Sequence, residues 1–185
     1  MGKRRLLMII LAAALILSAS IFYYVSKERD IRAASESTAG SSELKDVITI
    51  EDIDTRLLEL GGSTKSISDY SEGILFINFW ATWCYYCELE MPDLIKLSEL
   101  VGKDGSGKVI AIDVNEKEKT VQDFIDRKGF GGITVLLDQN GDAAMKFGID
   151  AYPTTYLFKG GRLIDYKVGM LSWEDMMAML EAARK

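Results

Sequence analysis

Ile74-Leu75-Phe76-Ile77-Asn78-Phe79-Trp80 is a near-continuous apolar run, and only Ala81-Thr82-Trp83 separates it from Cys84-Tyr85-Tyr86-Cys87. A strand with one solvated face alternates apolar and polar residues; a run without alternation predicts a central strand covered on both faces. Behind it, Leu89, Leu94, Ile95, Leu97 and Leu100 recur at helical spacing and predict a helix over Cys84–Val101. A covered strand that feeds a helix is the beginning of an α/β sheet.

The rest of the chain extends that pattern. Gly102, Gly105 and Gly107 form a breaker cluster, and Lys108–Val114 reads as a second buried strand. Glu118–Lys128 places Val121, Phe124 and Ile125 at helical spacing, with Gly129 as its stop. Ile133–Asp138 is a third strand, closed by an Asn140-Gly141 turn, and Ala143–Phe147 a short helix. Thr154–Lys159 and Arg162–Val168 are strands joined by Gly160-Gly161, a two-residue hairpin signal. Ser172 caps a last helix through Ala183, whose apolar residues include Met176, Met177, Met179 and Leu180. Upstream, Val47–Ile50 is expected as an edge strand and Ile53–Leu60 as a short helix. These elements predict an α/β fold with a mixed, mostly parallel central sheet flanked by helices.

The N-terminus obeys different rules. Lys3, Arg4 and Arg5 precede Leu6–Val25, 20 residues without a charge. As a helix that run spans about 30 Å, the thickness of a bilayer core. The basic cluster on its N-terminal side predicts a signal-anchor transmembrane helix over 1–25, cytoplasmic N-terminus, with the remainder extracytoplasmic. A cleaved signal peptide is the rival; Ile21-Phe22-Tyr23-Tyr24-Val25 carries the apolar stretch too far for it. Residues 26–45, rich in Ser, Ala and charge without an apolar period, read as a flexible linker. Residues 46–185 are the size of one domain with a proper core. Beyond Val25 the chain holds 19 basic and 28 acidic side chains, a surface that anionic headgroups repel.

Composition removes whole classes of chemistry. With no histidine in the chain, Ser-His-Asp and Cys-His catalysis and His-ligated zinc or haem are excluded. The acidic balance argues against a nucleic-acid partner. Two cysteines make neither a Cys₄ zinc site nor a multi-bridge scaffold. What remains is one C-x-x-C, placed where a strand ends and a helix begins. A cysteine at a helix N-terminus meets free N–H groups and the positive end of the macrodipole, which favour its thiolate. Cys87 lies one turn further on, close enough to resolve a mixed disulfide.

Phe79-Trp80-Ala81-Thr82-Trp83-Cys84-Tyr85-Tyr86-Cys87, the following Glu88-Leu89-Glu90-Met91-Pro92, and Ala151-Tyr152-Pro153-Thr154-Thr155 together resemble the thioredoxin superfamily, and within it the membrane-anchored TlpA/ResA-type thiol–disulfide oxidoreductases. The resemblance runs from about Ser68 to the C-terminus and absorbs both prolines, Pro92 in the active-site helix and Pro153 in the family's cis-proline loop. It implies a thioredoxin-like fold with a central αβ insertion, the part from Glu118 to Asp138. It implies Cys84 as nucleophile, Cys87 as its resolving partner, and a redox-active disulfide between them. Where a plain thioredoxin has a buried Asp six residues before the first cysteine, this chain has Asn78, as the subgroup does. The subgroup instead often carries a Glu three residues after the second cysteine, here Glu90, at hand to tune the thiols or relay a proton. The plainer reading is that Glu90 only complements the helix N-terminus. Trp83, Tyr85, Tyr86, Tyr152 and Pro153 are the expected substrate-binding residues. Tyr85-Tyr86 departs from the family, whose second intervening residue is usually Pro.

The expected activity is reduction of disulfides in extracytoplasmic proteins, apocytochrome c among them, with recharging by a membrane electron donor of CcdA/DsbD type. The chemistry calls for no cofactor and no metal. Without a histidine between the cysteines, the arrangement of strongly oxidising relatives is missing, which favours a reductant. Two alternatives stand beside it: a thiol oxidase that donates the disulfide, and a soft-metal (copper) binding module.

Overall fold

The computed structural model describes Gly2 and residues 48–185. Apart from Gly2, the expected membrane segment at 1–25 and the linker at 26–45 lie outside the described residues. Among the described residues no helix is long and apolar enough to cross a membrane. In chain order the elements are α1 (Ile50–Ile53), β1 (Arg56–Glu59), β2 (Thr64–Ser66), a 3-10 turn (Ile67–Tyr70), β3 (Ile74–Trp80), α2 (Tyr85–Lys103), β4 (Gly107–Val114) and α3 (Glu118–Lys128). They continue with β5 (Thr134–Asp138), α4 (Asp142–Lys146), β6 (Thr154–Lys159), β7 (Arg162–Val168) and α5 (Trp173–Arg184).

All seven residues of β3 are buried, as a run without alternation requires. Ile74, Phe76 and Trp80 face one side, with Met91, Leu94 and Leu97 of α2, Phe124 of α3 and Leu180 of α5. Leu75, Ile77 and Phe79 face the other, with Phe147 behind α4, Phe158 of β6 and Ile50 of α1. One sheet thus separates two apolar layers, and α2 with its cysteines lies on the first of them. Leu89, counted among the apolar side of α2 from its spacing, is half-exposed instead; the buried face runs through Cys87, Glu90, Met91, Leu94, Leu97 and Val101.

The sheet has the order β2-β1-β5-β4-β3-β6-β7. Only β3–β4 and β4–β5 pair in parallel, while both flanks pair antiparallel. The expectation of a mostly parallel sheet is therefore corrected to a mixed one with a parallel centre. The β1–β2 and β6–β7 neighbours are joined by turns too short for a parallel return, which needs a crossover; β1 against β5 and β6 against β3 are antiparallel through long connections. The α3–β5 unit supplies such a crossover and adds a strand beyond β4. Gly107 opens β4 where the backbones close in: a Cβ there would stand 2.0 Å from the Ile74 carbonyl oxygen.

Val47 lies outside the described residues; for residues 48–60 the expectations are inverted. Ile50–Ile53 is helical, not an edge strand; Thr49 caps it reciprocally with Asp52 and makes only an isolated bridge to Arg162. Arg56–Glu59 is a strand, not a helix, paired with β2 and β5. Asp54 ends the helix because its carboxylate is taken by Ser66 Oγ, Ser68 N–H and Ser68 Oγ. Those bonds fold the chain back and leave Leu57 pointing into the second apolar layer.

Candidate active site

Cys84 is the N-cap of α2, in extended backbone, and its sulfur accepts the Cys87 N–H at 3.2 Å. The first N–H groups of any helix lack intrahelical acceptors, so a sulfur here occupies a position that favours negative charge. Cys84 and Cys87 form a disulfide. Cys84 is 8% exposed and Cys87 1%, which makes the first sulfur the one an incoming disulfide meets and the second the internal resolver.

Around that sulfur stand the rings anticipated from the motif. Trp83 is 70% exposed, Tyr85 68% and Tyr86 59%. Trp83 meets Tyr152 edge-to-face at 5.7 Å, and Tyr85 meets Tyr86 at 5.6 Å. The Tyr152–Pro153 peptide bond is cis; Pro153 is buried, and its carbonyl accepts the Gly169 N–H at 2.8 Å. The structure thus brings Trp83 and Tyr152 into contact across the loops before α2 and β6. It pairs Tyr85 with Tyr86 on the first turn of α2, beside half-exposed Leu89.

Beneath the helix lies a polar group in an apolar layer. Asn78 Nδ2 donates to Glu90 Oε1 at 2.7 Å and to Thr155 Oγ1 at 2.9 Å. The Leu171 N–H donates to Glu90 Oε2. Glu90 is therefore a buried carboxyl turned towards the sheet, not a surface group at the helix end. Burial pushes it up to about 7, against the pull of its bonds from Leu171 and Asn78, and Asp93 adds to the rise. Near neutral pH it exchanges a proton readily, one helical turn beyond Cys87 on the same buried side of α2.

Of two acidic residues that the sequence reading passed over, one, Glu116, holds the loop before the cysteine. Glu116 accepts from the Thr82 N–H at 2.6 Å and from Thr82 Oγ1 at 2.7 Å. Asp113, at the end of β4, is fully buried. Its signal was available: a charged residue in a strand otherwise read as buried, Lys108–Val114.

A helix-capping nucleophilic cysteine, a buried partner one turn on, and a cis-proline loop against the same site define a thioredoxin-like thiol–disulfide oxidoreductase. Comparison with known proteins agrees. Residues 50–167 match the AhpC/TSA family. The chain is 31% identical over 129 residues to the thiol-disulfide oxidoreductase ResA of Geobacillus thermodenitrificans, covering 69% of this chain and 73% of the relative. It is 32% identical over 134 residues to the thioredoxin-like protein YneN of Bacillus subtilis, covering 69% and 75%. A thiol:disulfide interchange protein of the thioredoxin family from Chlorobium tepidum superposes with a TM-score of 0.63 at 21% identity, over 71% of this chain and 94% of that one. The chain belongs to the AhpC/TSA family of thioredoxin-like proteins and is of the TlpA/ResA type.

Proposed function

We propose that this oxidoreductase is tethered to the membrane, faces the extracytoplasmic space, and reduces disulfides in exported proteins, with the haem-site cysteines of apocytochrome c as a fitting client. A membrane donor of CcdA/DsbD type restores its dithiol. The observation that carries the direction is the absence from the chain of any histidine that could stabilise a Cys84 thiolate. A dithiol is strongly oxidising when its thiolate is strongly stabilised. In the disulfide, the sulfur accepts one N–H among the described residues, that of Cys87 at 3.2 Å, and the chain has no histidine to add to it. The buried Glu90 carboxyl, once ionised, adds negative potential to the same side of the helix. Both features favour a reductant. The tether is supported by the uncharged Leu6–Val25 run behind Lys3-Arg4-Arg5.

In the reaction, the Cys84 thiolate attacks one sulfur of the client disulfide, and the second client sulfur leaves as a thiolate that takes up a proton. Cys87, deprotonated with Glu90 as the nearby acceptor, attacks Cys84 and frees the other client thiol. Two electrons pass to the client and the Cys84–Cys87 disulfide closes. Trp83, Tyr85, Tyr86 and the backbone at Tyr152-Pro153 hold the client chain beside the sulfur. The test is the full chain carrying Cys87→Ala in native membranes: mixed disulfides to exported proteins through Cys84 are expected, and their absence overturns the mechanism. A redox titration separates the directions, since a potential well above the glutathione range assigns the oxidase role instead.

A further inference from the structure

Asp113 closes the apolar stretch of β4 and lies in register with Trp80 on β3. Alternation along β4 puts it on the side of Val109 and Ala111, the layer that holds α2 and both cysteines. It is fully buried, and neither of its carboxyl oxygens meets a donor among the described residues. An ionised carboxylate without donors in such a place is strongly disfavoured. The groups that act on it are themselves acidic: Glu116, within hydrogen-bonding reach on the loop after β4, and Asp138 at the end of β5. In the loop before β6, burial raises the Tyr152 phenol, and the acidic groups Asp138 and Asp113 add to the rise.

Two carboxyls in contact hold one proton between them, and the bonding pattern says which one keeps it. Glu116 spends both oxygens as acceptors, towards the Thr82 N–H and Oγ1, so it is the ionised member. Asp113 accepts nothing and has only Glu116 to give to. We propose that Asp113 is a positioning residue: held neutral, it donates its proton to Glu116 and so fixes the carboxylate that clamps Thr82, two residues ahead of the nucleophile. Burial first, then Glu116 and Asp138, push its carboxyl up to about 9, which agrees with a neutral group at physiological pH. When Asp113 ionises, two carboxylates repel across the clamp, Thr82 is released, and with it the Trp83-Cys84 loop. The thiol–disulfide reaction therefore carries an alkaline limit set by a group that never touches the substrate.

The test is made on the full chain in its oxidised form. In the unaltered protein, NMR of the Asp113 carboxyl carbon is expected to report a protonated group at pH 7 that titrates near pH 9. An ionised Asp113 at pH 7 overturns the proposal, and this reading needs no variant to fold. Amide exchange then follows the clamp: Asp113→Ala is expected to speed Thr82 N–H exchange at least ten-fold while the β4 amides keep their protection. Asp113→Asn retains an N–H donor towards Glu116 and should restore Thr82 protection, now without the loss near pH 9. Unchanged Thr82 exchange in Asp113→Ala, failure of the Asn variant to rescue, or an alkaline loss that persists in it would each refute the role.

Discussion

Glu90 offers the most decisive perturbation, because its environment predicts both a magnitude and a sign. Its carboxyl is raised from 4.5 to about 7, a difference of about 2.5 units, and each unit is about 1.4 kcal/mol. The folded state thus holds this proton about 3 kcal/mol more tightly than the unfolded chain does. Since the folded value lies above the unfolded one, that stabilisation is complete below pH 4.5 and is lost as pH rises through 7. Glu90→Gln keeps the shape of the side chain and removes the titration. Urea unfolding of the oxidised protein and of Glu90→Gln, compared from pH 4 to pH 8, isolates the term, because Asp113 and the surface carboxylates remain in both. The stability of the unaltered protein relative to the variant should fall by about 3 kcal/mol across that range. With a slope near 2 kcal/mol per molar, this is roughly a 1.5 M change in the difference between urea midpoints. A difference that stays constant to within about 1 kcal/mol from pH 4 to pH 8 would show that folding leaves Glu90 near its unfolded value, and the proton-acceptor role for it would fall. The same titration should mark the chemistry: an inflection near pH 7 in the thiol reactivity of the reduced protein, absent in Glu90→Gln.

Other expectations concern docking and the frame. Tyr85→Ala with Tyr86→Ala removes two exposed rings without touching the cysteines. Steady-state reduction should lose about ten-fold in kcat/KM towards a protein disulfide and less than about two-fold towards glutathione disulfide; equal losses for both would mean the rings shield Cys87 instead of holding a client. Gly107→Ala sets a Cβ 2.0 Å from the Ile74 carbonyl oxygen. It should cost about 3 kcal/mol, or roughly 8 °C in melting midpoint, whereas Gly102→Ala, with nothing within 4 Å, should be neutral or gain up to about 0.5 kcal/mol. Ser172 Oγ accepts the Asp175 N–H at 3.1 Å, and the Asp175 carboxylate returns the bond to the Ser172 N–H; Ser172→Ala should cost about 1 kcal/mol in chemical denaturation.

How much of this was legible follows from the range over which each signal acts. The strand before the cysteines, the helix they open, the Gly160-Gly161 hairpin and the Ser172 cap are each settled by neighbours within a few residues, and the structure has each where the sequence put it. Residues 47–60 misled because two local signals competed. Ile53, Leu57 and Leu60 share a helical face, but Thr49-Ile50-Glu51-Asp52 is also a capping box, and Asp54 binds serines 12 and 14 residues away. The long-range bonds decided the outcome, as they did at the site. Asn78 meets Thr155 over 77 residues, Leu171 meets Glu90 over 81, and Glu116 meets Thr82 over 34. No periodicity encodes such pairs. The sequence could name the nucleophile because a helix start is local, but not the groups that set its protonation and position, because those depend on which strands lie side by side. Asn78, Ala111 and Thr155 sit level across β6-β3-β4, and Asp113 stands two residues further along beside Trp80. The parallel centre of the sheet therefore delivers Asn78 from β3 and Asp113 from β4 to the same side, directly under α2. One supports Glu90 and the other supports Glu116, so a single topological choice supplies the acid near Cys87 and the clamp ahead of Cys84.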